Sequence, residues 1–448
     1  MKLLFSIAFI FTSLTIYSQL SFGTTLNTAS YDAFGLMVKV SDTESIYFYR
    51  EGTEHVGTNI GKIKAVKYNY QNNSWSSPWD IFDDVNLDDR NIAGGLNSTG
   101  DKIILHFTQY DADNNYFLNI QTLISDDLSG ASGTWTLLSN PLFENNVQKA
   151  GFSPHGHNIT LNNGDILQGW YIREGTDDSQ YGPYRMYAMR SADNGQSWDL
   201  QYSTIYADSS YYIGEPFIED LGGDTLVCIA RSNALIDDLY TMVVIFSYDN
   251  GATWEPYTFT NLSSDYHILP YTYYDQSQET IVCSVLHRGV DEFKLYSTSK
   301  EDIISRPDSC WSFIETIDTG FRYNGYASMV EFEEGNYFSI YAKQVTLNDC
   351  DTYSFIWRNN ITSSKNNPEE PLIKLYPNPT RNTIEISSED TNQKGIISVY
   401  NIEGQLLLQN DFHGKQKNSL DLSSFNSGIY FVKINLNNNI SIHKAIKN

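Results

Sequence analysis

The sequence predicts an all-β protein: a six-bladed (alternatively seven-bladed) β-propeller followed by a small C-terminal β-sandwich. Aromatic residues make up 14% of the 448 residues, with 32 tyrosines, and few segments have a helical pattern. A compact turn that ends in tryptophan recurs, and tryptophans at positions 75, 135, 198, 254 and 311 are about 60 residues apart. A repeat of this size fits a four-stranded blade.

The recurring turn has two intact copies of the pattern S-x-D-x-G-x-x-W. Residues 191–198 read SADNGQSW, and residues 247–254 read SYDNGATW. We expect the Ser and Asp side chains to accept hydrogen bonds from N–H groups of the turn. We expect the Gly to take a positive φ and the indole to close the hairpin.

The chain divides into a leader, a repeat region and a tail. Residues 1–19 contain Lys2 and an apolar run, and are predicted to be a secretory signal peptide. The repeat region is 20–360, residues 361–371 are a polar linker with proline at two places, and 372–448 alternates strands with tight turns. One strand of each repeat unit ends in a charged or polar residue, at 44–50, 101–109, 165–173, 224–231, 279–288 and 336–343.

Charge and cysteine content restrict the partners. The net charge of -25 excludes nucleic acid, and an acidic polysaccharide would need a local arginine cluster. After the leader, no stretch is long and apolar enough to span a membrane. Cys228 and Cys283 occupy matching strand positions and are predicted to be core thiols, and Cys310–Cys350 is a candidate disulfide. We expect a monomer that requires no cofactor, with structural calcium left open.

Several residues could act on a carboxylate. Arg50, Arg231 and Arg288 lie at equivalent strand ends, so they should converge and bind an anion. His55 titrates near neutral pH and can transfer a proton. The segment SPHGH places His155 and His157 at the start of another unit. A metal held by these two histidines with His106 or a carboxylate is left open.

The turn motif resembles the Asp-box of sialidases and their propeller relatives. Gly214-Glu215-Pro216 followed by Arg231 resembles the sialidase segment with the glutamate that assists the tyrosine nucleophile and then a carboxylate-binding arginine. Arg288 resembles the next sialidase arginine, and Tyr326 in GYAS resembles the nucleophile. The first-unit arginine, expected near residues 31–34, is absent, and His55 stands where sialidases have the acid/base aspartate.

These two departures favour another reaction, β-elimination from a uronic acid. Arginine can stabilise the charge that develops when the C5 proton leaves, while His or Tyr transfers protons. This set resembles the propeller-fold ulvan lyases and uronate-eliminating oligosaccharide dehydratases. It implies a secreted carbon–oxygen lyase on an acidic, ulvan-type polysaccharide or its oligosaccharides, acting by chain cleavage or loss of water. The expected catalytic residues are His55, His155, Tyr326 and Glu215, and the expected substrate-binding residues are Arg50, Arg231, Arg288 and His157.

Two alternatives stay open. One is a sialidase-like glycoside hydrolase in which Tyr326 and Glu215 form the nucleophile pair. The other is a glycan-binding propeller without catalytic activity.

The tail has its own resemblance. The segments LYPNPT at 375–380, ISVYNIEG at 397–404 and LSSFNSGIYFVK at 422–433 resemble the C-terminal sorting domain of the type IX secretion system. This resemblance implies export through the periplasm to the cell surface or the medium, with the secretion machinery as a partner.

Overall fold

A computed structural model of the protein consists almost entirely of β-strands. It describes residues 31–55, 60–139, 149–174, 184–208, 210–236, 239–264, 268–287, 291–319, 327–346, 349–358, 374–376, 380–387, 394–401, 406–413, 418–436 and 439–447. The chain separates into two compact units, Met1–Thr362 and Ser363–Asn448. The predicted signal peptide and linker lie outside the described residues. Among the described residues, no helix is long and apolar enough to cross a membrane.

The first unit contains six successive antiparallel runs of strands in its described part. In the first three runs, strands adjacent in the chain pair with each other, except that β5 pairs with β3. These strands are β1 (Tyr31–Lys39), β2 (Glu44–Gly52), β3 (Lys62–Asn69), β4 (Ser74–Trp75), β5 (Trp79–Phe82); β6 (Asp88–Leu96), β7 (Ile103–Asp111), β8 (Tyr116–Ser125), β9 (Trp135–Leu138); β10 (Lys149–Thr160), β11 (Ile166–Glu174), β12 (Tyr184–Ser191) and β13 (Asp199–Tyr206).

The next three runs are also antiparallel, with β17 between β15 and the short β16, and with one short helix after β21. Their elements are β14 (Ile213–Gly222), β15 (Thr225–Ser232), β16 (Leu235–Ile236), β17 (Leu239–Ser247), β18 (Thr258–Ser264); β19 (Ile268–Asp275), β20 (Thr280–His287), β21 (Glu292–Ser299), α1 (Lys300–Ser305), β22 (Ser312–Thr319); β23 (Ala327–Glu333), β24 (Asn336–Thr346) and β25 (Asp349–Arg358). The six strands predicted from the sequence are the second strands of the runs, β2, β7, β11, β15, β20 and β24.

Buried clusters pack each run against the next. One cluster combines Cys228 on β15 with Ala188 on β12, and another combines Tyr47 on β2 with Phe338 on β24. The last run therefore packs against the first, and Tyr31 on β1 also pairs in parallel with β25. This cyclic packing is that of a propeller. The exact number of blades in the ring stays a prediction.

The two intact turn motifs have nearly the same hydrogen bonds. The Ser191 hydroxyl accepts from the Gly195 N–H at 2.8 Å, and the Asp193 carboxylate accepts from the Ser197 N–H at 2.9 Å. The second copy, residues 247–254, has both bonds at 2.8 Å. Gly195 has a φ of 87°, as expected for the turn. Local polar contacts thus hold both turns in one conformation.

All four cysteines are buried, and none of them forms a disulfide. Cys228 and Cys283 are core thiols, as predicted. The predicted Cys310–Cys350 disulfide is wrong, because the two residues belong to separate clusters: Cys310 packs beside Trp311, and Cys350 packs beside Tyr31.

The second unit is the predicted small β-sandwich. Its described strands are β26 (Lys374–Tyr376), β27 (Thr383–Ser387), β28 (Lys394–Tyr400), β29 (Leu406–His413), β30 (Asn418–Asp421), β31 (Gly428–Leu436) and β32 (Asn439–Lys447). They form a sheet with the order β26-β27-β30 and a sheet with the order β29-β28-β31-β32. Ile384 from the first sheet and Val399 and Val432 from the second share one buried core.

Candidate active site

Four of the first strands in the described chain carry a bulge, which lies in the first half of β1, β6 and β14 and in the second half of β10. One residue at each bulge takes a left-handed conformation: Phe34 on β1, Asn91 on β6, Gly156 on β10 and Glu215 on β14. The strand pairing shifts register around each of them. This conformation is strained for a phenylalanine or a glutamate, at a cost of about 1–3 kcal/mol, and bulges re-aim side chains. The strain points to a functional end of the strands.

The bulges surround one small cavity, to which all six first strands contribute. The lining includes Phe34, Leu36, Asn91, Pro154, His155, Gly156, Phe217, Tyr271 and Ala327. The turn motifs lie at the opposite end of the strands, since Ser191 pairs with Ile166, which pairs with Thr160 at the end of β10. One end of the propeller therefore carries the repeated turn pattern, and the other carries the cavity.

His155 is buried and lines this cavity. Its ring lies 5.4 Å from the Tyr171 ring and 5.9 Å from the Phe217 ring, measured between centroids. Burial lowers the pKa of His155 to about 4, although the Glu215 carboxylate opposes this shift. The imidazole is therefore neutral at pH 7 and can accept a proton. Glu215 itself forms an ion pair with Arg231, with an Oε1–Nη1 distance of 2.8 Å.

Tyr171 on β11 differs from His155 because its pKa shifts upward. Burial, with Glu215 and Tyr184 adding to it, raises the pKa of Tyr171 above its ordinary value, so the hydroxyl stays protonated. Its ring stacks on Tyr184 with centroids 5.6 Å apart. A Cβ at Gly214 would lie 2.9 Å from the Tyr184 ring, so glycine makes room for the stack. Tyr171 was not a sequence candidate, because ILQGWYIRE has the pattern of a core strand.

Arg90 is a second group that the sequence did not single out. It precedes the bulge on β6, the position that His155 occupies on β10. Its guanidinium carbon lies 5.0 Å from the centroid of Phe34 and 5.7 Å from that of Phe117. Its Nη1 is 3.5 Å from an Asp88 oxygen. When the first strands are aligned on their bulges, Arg90 matches Ala33 on β1, His155 on β10 and Gly214 on β14.

His55 lies beside the same phenylalanine. Its Nδ1 is 3.1 Å from the Tyr31 hydroxyl, and its ring centroid is 5.1 Å from that of Phe34. His55 and Arg90 therefore contact one ring, and that ring lines the cavity.

Arg50 is placed differently from its sequence-based expectation. We expected it to bind substrate, but its side chain is 0% exposed. Its guanidinium donates to both Asp88 oxygens at 2.6 and 3.0 Å, and to the Glu54 carbonyl at 2.9 Å. Arg50 lies behind the site, where a sugar does not reach it.

His157 lies beyond the bulge, apart from His155. Its Nε2 is 3.3 Å from a Glu219 oxygen, and Glu219 also accepts from the Thr272 hydroxyl at 2.6 Å. Burial lowers the pKa of His157, but Glu219 outweighs it, so the net shift is upward. His106 is buried and 2.9 Å from the Thr122 hydroxyl. No group of three or more His, Cys, Asp or Glu side chains among the described residues is placed to hold a metal ion.

Two sequence candidates, Tyr326 and Arg288, lie outside the described residues. Their roles stay predictions. Arg231 is partly exposed and Arg173 is half-buried, and both act to lower the pKa of Tyr184, whose net shift is upward because of burial.

Comparison with known families identifies the tail. Residues 374–448 match the family model described as a secretion system C-terminal sorting domain. The tail is a type IX sorting domain. The protein is accordingly exported to the cell surface or the extracellular space.

Individual proteins are similar to parts of this chain, mainly in their fold. An endo-acting ulvan lyase from Formosa agariphila is 21% identical over 156 residues, which is 34% of this chain and 30% of that relative. A protein of unknown function from Dyadobacter fermentans superposes with a TM-score of 0.60 at 17% identity, over 74% of this chain and 95% of the other. An intramolecular trans-sialidase from Ruminococcus gnavus has a TM-score of 0.55 at 11% identity, over 79% and 98%. The fold is that of sialidase-like propellers.

Proposed function

We propose that the protein is a secreted carbohydrate-active enzyme that eliminates across the C4–C5 bond of a uronic acid, in an acidic, ulvan-type polysaccharide or its oligosaccharides. The observation that carries this proposal is the cavity-end cluster of His155, Tyr171, Glu215, Arg231 and Arg90. It combines a neutral base, a protonated acid and cations at one place. The partial similarity to an ulvan lyase supports an enzyme that acts on carbohydrate.

The cations give the reaction its charge stabilisation. In the proposal, Arg90 and Arg231 bind the C6 carboxylate, which makes the C5 proton more acidic and stabilises the enolate-like transition state. His55 contacts the same Phe34 ring as Arg90, so it would act on the same part of the sugar. The chain carries a net charge of -25, and these local cations would offset the long-range repulsion of an acidic substrate.

At neutral pH the lowered pKa of His155 leaves its imidazole uncharged and the raised pKa of Tyr171 keeps its hydroxyl protonated, so in the proposal His155 is the base and Tyr171 is the acid. Neutral His155 takes the C5 proton. The electron pair of the broken C5–H bond forms the C4=C5 double bond. The C4–O4 bond breaks, and the leaving oxygen takes the proton of Tyr171. The products are a 4,5-unsaturated uronate and either an alcohol, if the chain is cleaved, or water.

A sialidase-like glycoside hydrolase is the second candidate. Glu215 favours it, because this carboxylate is strained, buried and ion-paired with Arg231, as a residue that assists a nucleophile would be. In that reaction, Tyr326 would attack the anomeric carbon and water would complete the hydrolysis.

The test is to mix the purified full-length protein with ulvan and with glucuronate-containing oligosaccharides. Ultraviolet absorbance of the conjugated C4=C5 bond would rise on elimination, and product masses would separate chain cleavage from loss of water. New reducing ends without absorbance would overturn the lyase in favour of the hydrolase. Binding without any product would indicate a glycan-binding propeller.

A further inference from the structure

A single buried cation links two parts of the cavity end that belong to different runs. Arg50 lies on β2, two residues before the strand ends, its side chain is 0% exposed, and its three hydrogen bonds go to two acceptor residues. Two reach the Asp88 carboxylate at the start of β6, and one reaches the Glu54 carbonyl. Glu54 directly precedes His55, and Asp88 lies two residues before Arg90.

The surroundings of Arg50 are built to hold its guanidinium in one place. A Cβ on Gly52 would lie 2.5 Å from Arg50 Nη1, and a Cβ on Gly61 would lie 2.5 Å from Arg50 Nε. Both glycines therefore let the backbone pack directly on the guanidinium. The Gly61 carbonyl also accepts from the Asp89 N–H at 2.9 Å, which ties the start of β6 to the same spot.

Asp88 connects Arg50 to Arg90. It accepts the short bidentate pair from Arg50, and its Oδ2 lies 3.5 Å from Arg90 Nη1. Phe34 and Phe117 place ring faces near the Arg90 guanidinium. On the other branch, the Glu54 carbonyl fixes the backbone next to His55, whose ring meets Phe34.

We propose that Arg50 is a positioning residue that sets His55 and Arg90 relative to each other, so that one buried guanidinium orders the carboxylate-binding side of the active site. This inference rests on the proposed function, because it assumes that His55 and Arg90 meet the uronate carboxylate. A planar fork is needed to reach both Asp88 and Glu54, and a lysine in its place would keep the charge but lose that geometry.

The test compares Arg50→Lys with Arg190→Lys. Arg190 also forms an ion pair with an aspartate, Asp165, but it precedes the turn at 191–198 at the other end of the strands. Kinetics on a glucuronate-containing oligosaccharide and calorimetric binding of D-glucuronate are measured for the full-length wild type and both variants. We expect Arg50→Lys to lower kcat/KM about 100-fold and to weaken glucuronate binding, as small misplacements of reacting groups do. Arg190→Lys should leave both within about threefold, even if both variants melt earlier.

Asp88→Asn provides a second route if Arg50→Lys does not fold, because it keeps the shape and removes the charge that joins the two arginines. It should reproduce the loss, and Asp88→Glu should restore part of it. Wild-type kcat, KM and glucuronate affinity in a folded Arg50→Lys or Asp88→Asn protein would overturn the positioning role while leaving the proposed function intact. A wild type that neither binds glucuronate nor forms the double bond would overturn both.

Discussion

The two ends of the first unit follow different rules. At the turn end, residues 191–198 and 247–254 share Ser, Asp, Asn, Gly and Trp at matching positions, and the hydrogen bonds accepted by Ser and Asp from the turn N–H groups agree to within about 0.1 Å. At the cavity end, the backbone repeats but the side chains do not: the residue before the bulge is Ala33, Arg90, His155 or Gly214. Repetition of residues therefore marks the scaffold. Where the backbone position is shared but the residue differs from strand to strand, we expect the residues that carry out the reaction.

The largest effect should come from His155, the proposed base. We expect His155→Ala to lower kcat by about 10²–10⁴-fold, the range for loss of a general base, with the fold retained. Ultraviolet initial rates and circular dichroism would measure this. His157→Ala, on the same strand beyond the bulge, is the matched control and should lose much less. A smaller loss in His155→Ala than in the control would place the base elsewhere.

Arg231 should follow. Arg231→Ala removes a carboxylate-binding cation and leaves Glu215 without its ion-pair partner, so we expect kcat/KM to fall about 100-fold or more. Because the Arg231 side chain is only 21% exposed and the buried Glu215 would lose its partner, the melting temperature should fall as well. A folded variant with unchanged kcat/KM would remove Arg231 from the site.

His55→Ala should also lower turnover, but by less than Arg231→Ala. The ring contacts Tyr31 and Phe34 at the cavity mouth, and its removal would take away one group on the carboxylate side. We expect kcat to fall about 10–100-fold. His55→Gln, which keeps a hydrogen-bonding side chain, should recover part of the rate. Full activity of His55→Ala would show that proton transfer and charge stabilisation proceed without it.

The effect of pH on the free energy of unfolding should be smaller than these losses of activity. The pKa of His155 falls from 6.5 to about 4 on folding, so its contribution to stability is complete above pH 6.5 and is lost as the pH drops toward 4. Urea unfolding across this window should show a shallower loss for His155→Asn than for the wild type. His106 shifts in the same direction but is present in both proteins, so the difference isolates His155. Equal slopes would show that His155 is not buried as a neutral group.

The smallest functional effect should come from the turn end. Asp249→Ala removes the acceptor of two hydrogen bonds from Thr253, and we expect about 1–2 kcal/mol less free energy of unfolding with kcat and KM unchanged. Asp127→Ala, in the turn that leads from Ser125 to Trp135, should cost less, because the Ser125 hydroxyl donates to the Asp127 backbone carbonyl whereas the Ser247 hydroxyl donates to the Asp249 carboxylate. A change in kcat for Asp249→Ala would break the division between the two ends.

The sequence could predict those features whose interactions join residues close together in the chain. The turn at 191–198 closes on itself within eight positions, so its residues specify its bonds. The sorting domain was recognisable for the same reason, from three local segments. The role of Arg50 was not recognisable, because Arg50 resembles Arg231 in sequence and differs only through Asp88, which comes from another run. Tyr171 was hidden because its burial and its neighbours depend on β14 and β12 together.

The most direct test of the central claim is the ultraviolet progress curve of the wild type and of His155→Ala and Asp249→Ala, at equal concentration on the same uronate-containing oligosaccharide at neutral pH. The account predicts a rise for the wild type and for Asp249→Ala at similar rates, and an almost flat trace for His155→Ala. Equal rates for the wild type and His155→Ala would contradict it, because the chemistry would then not reside at the cavity end as described.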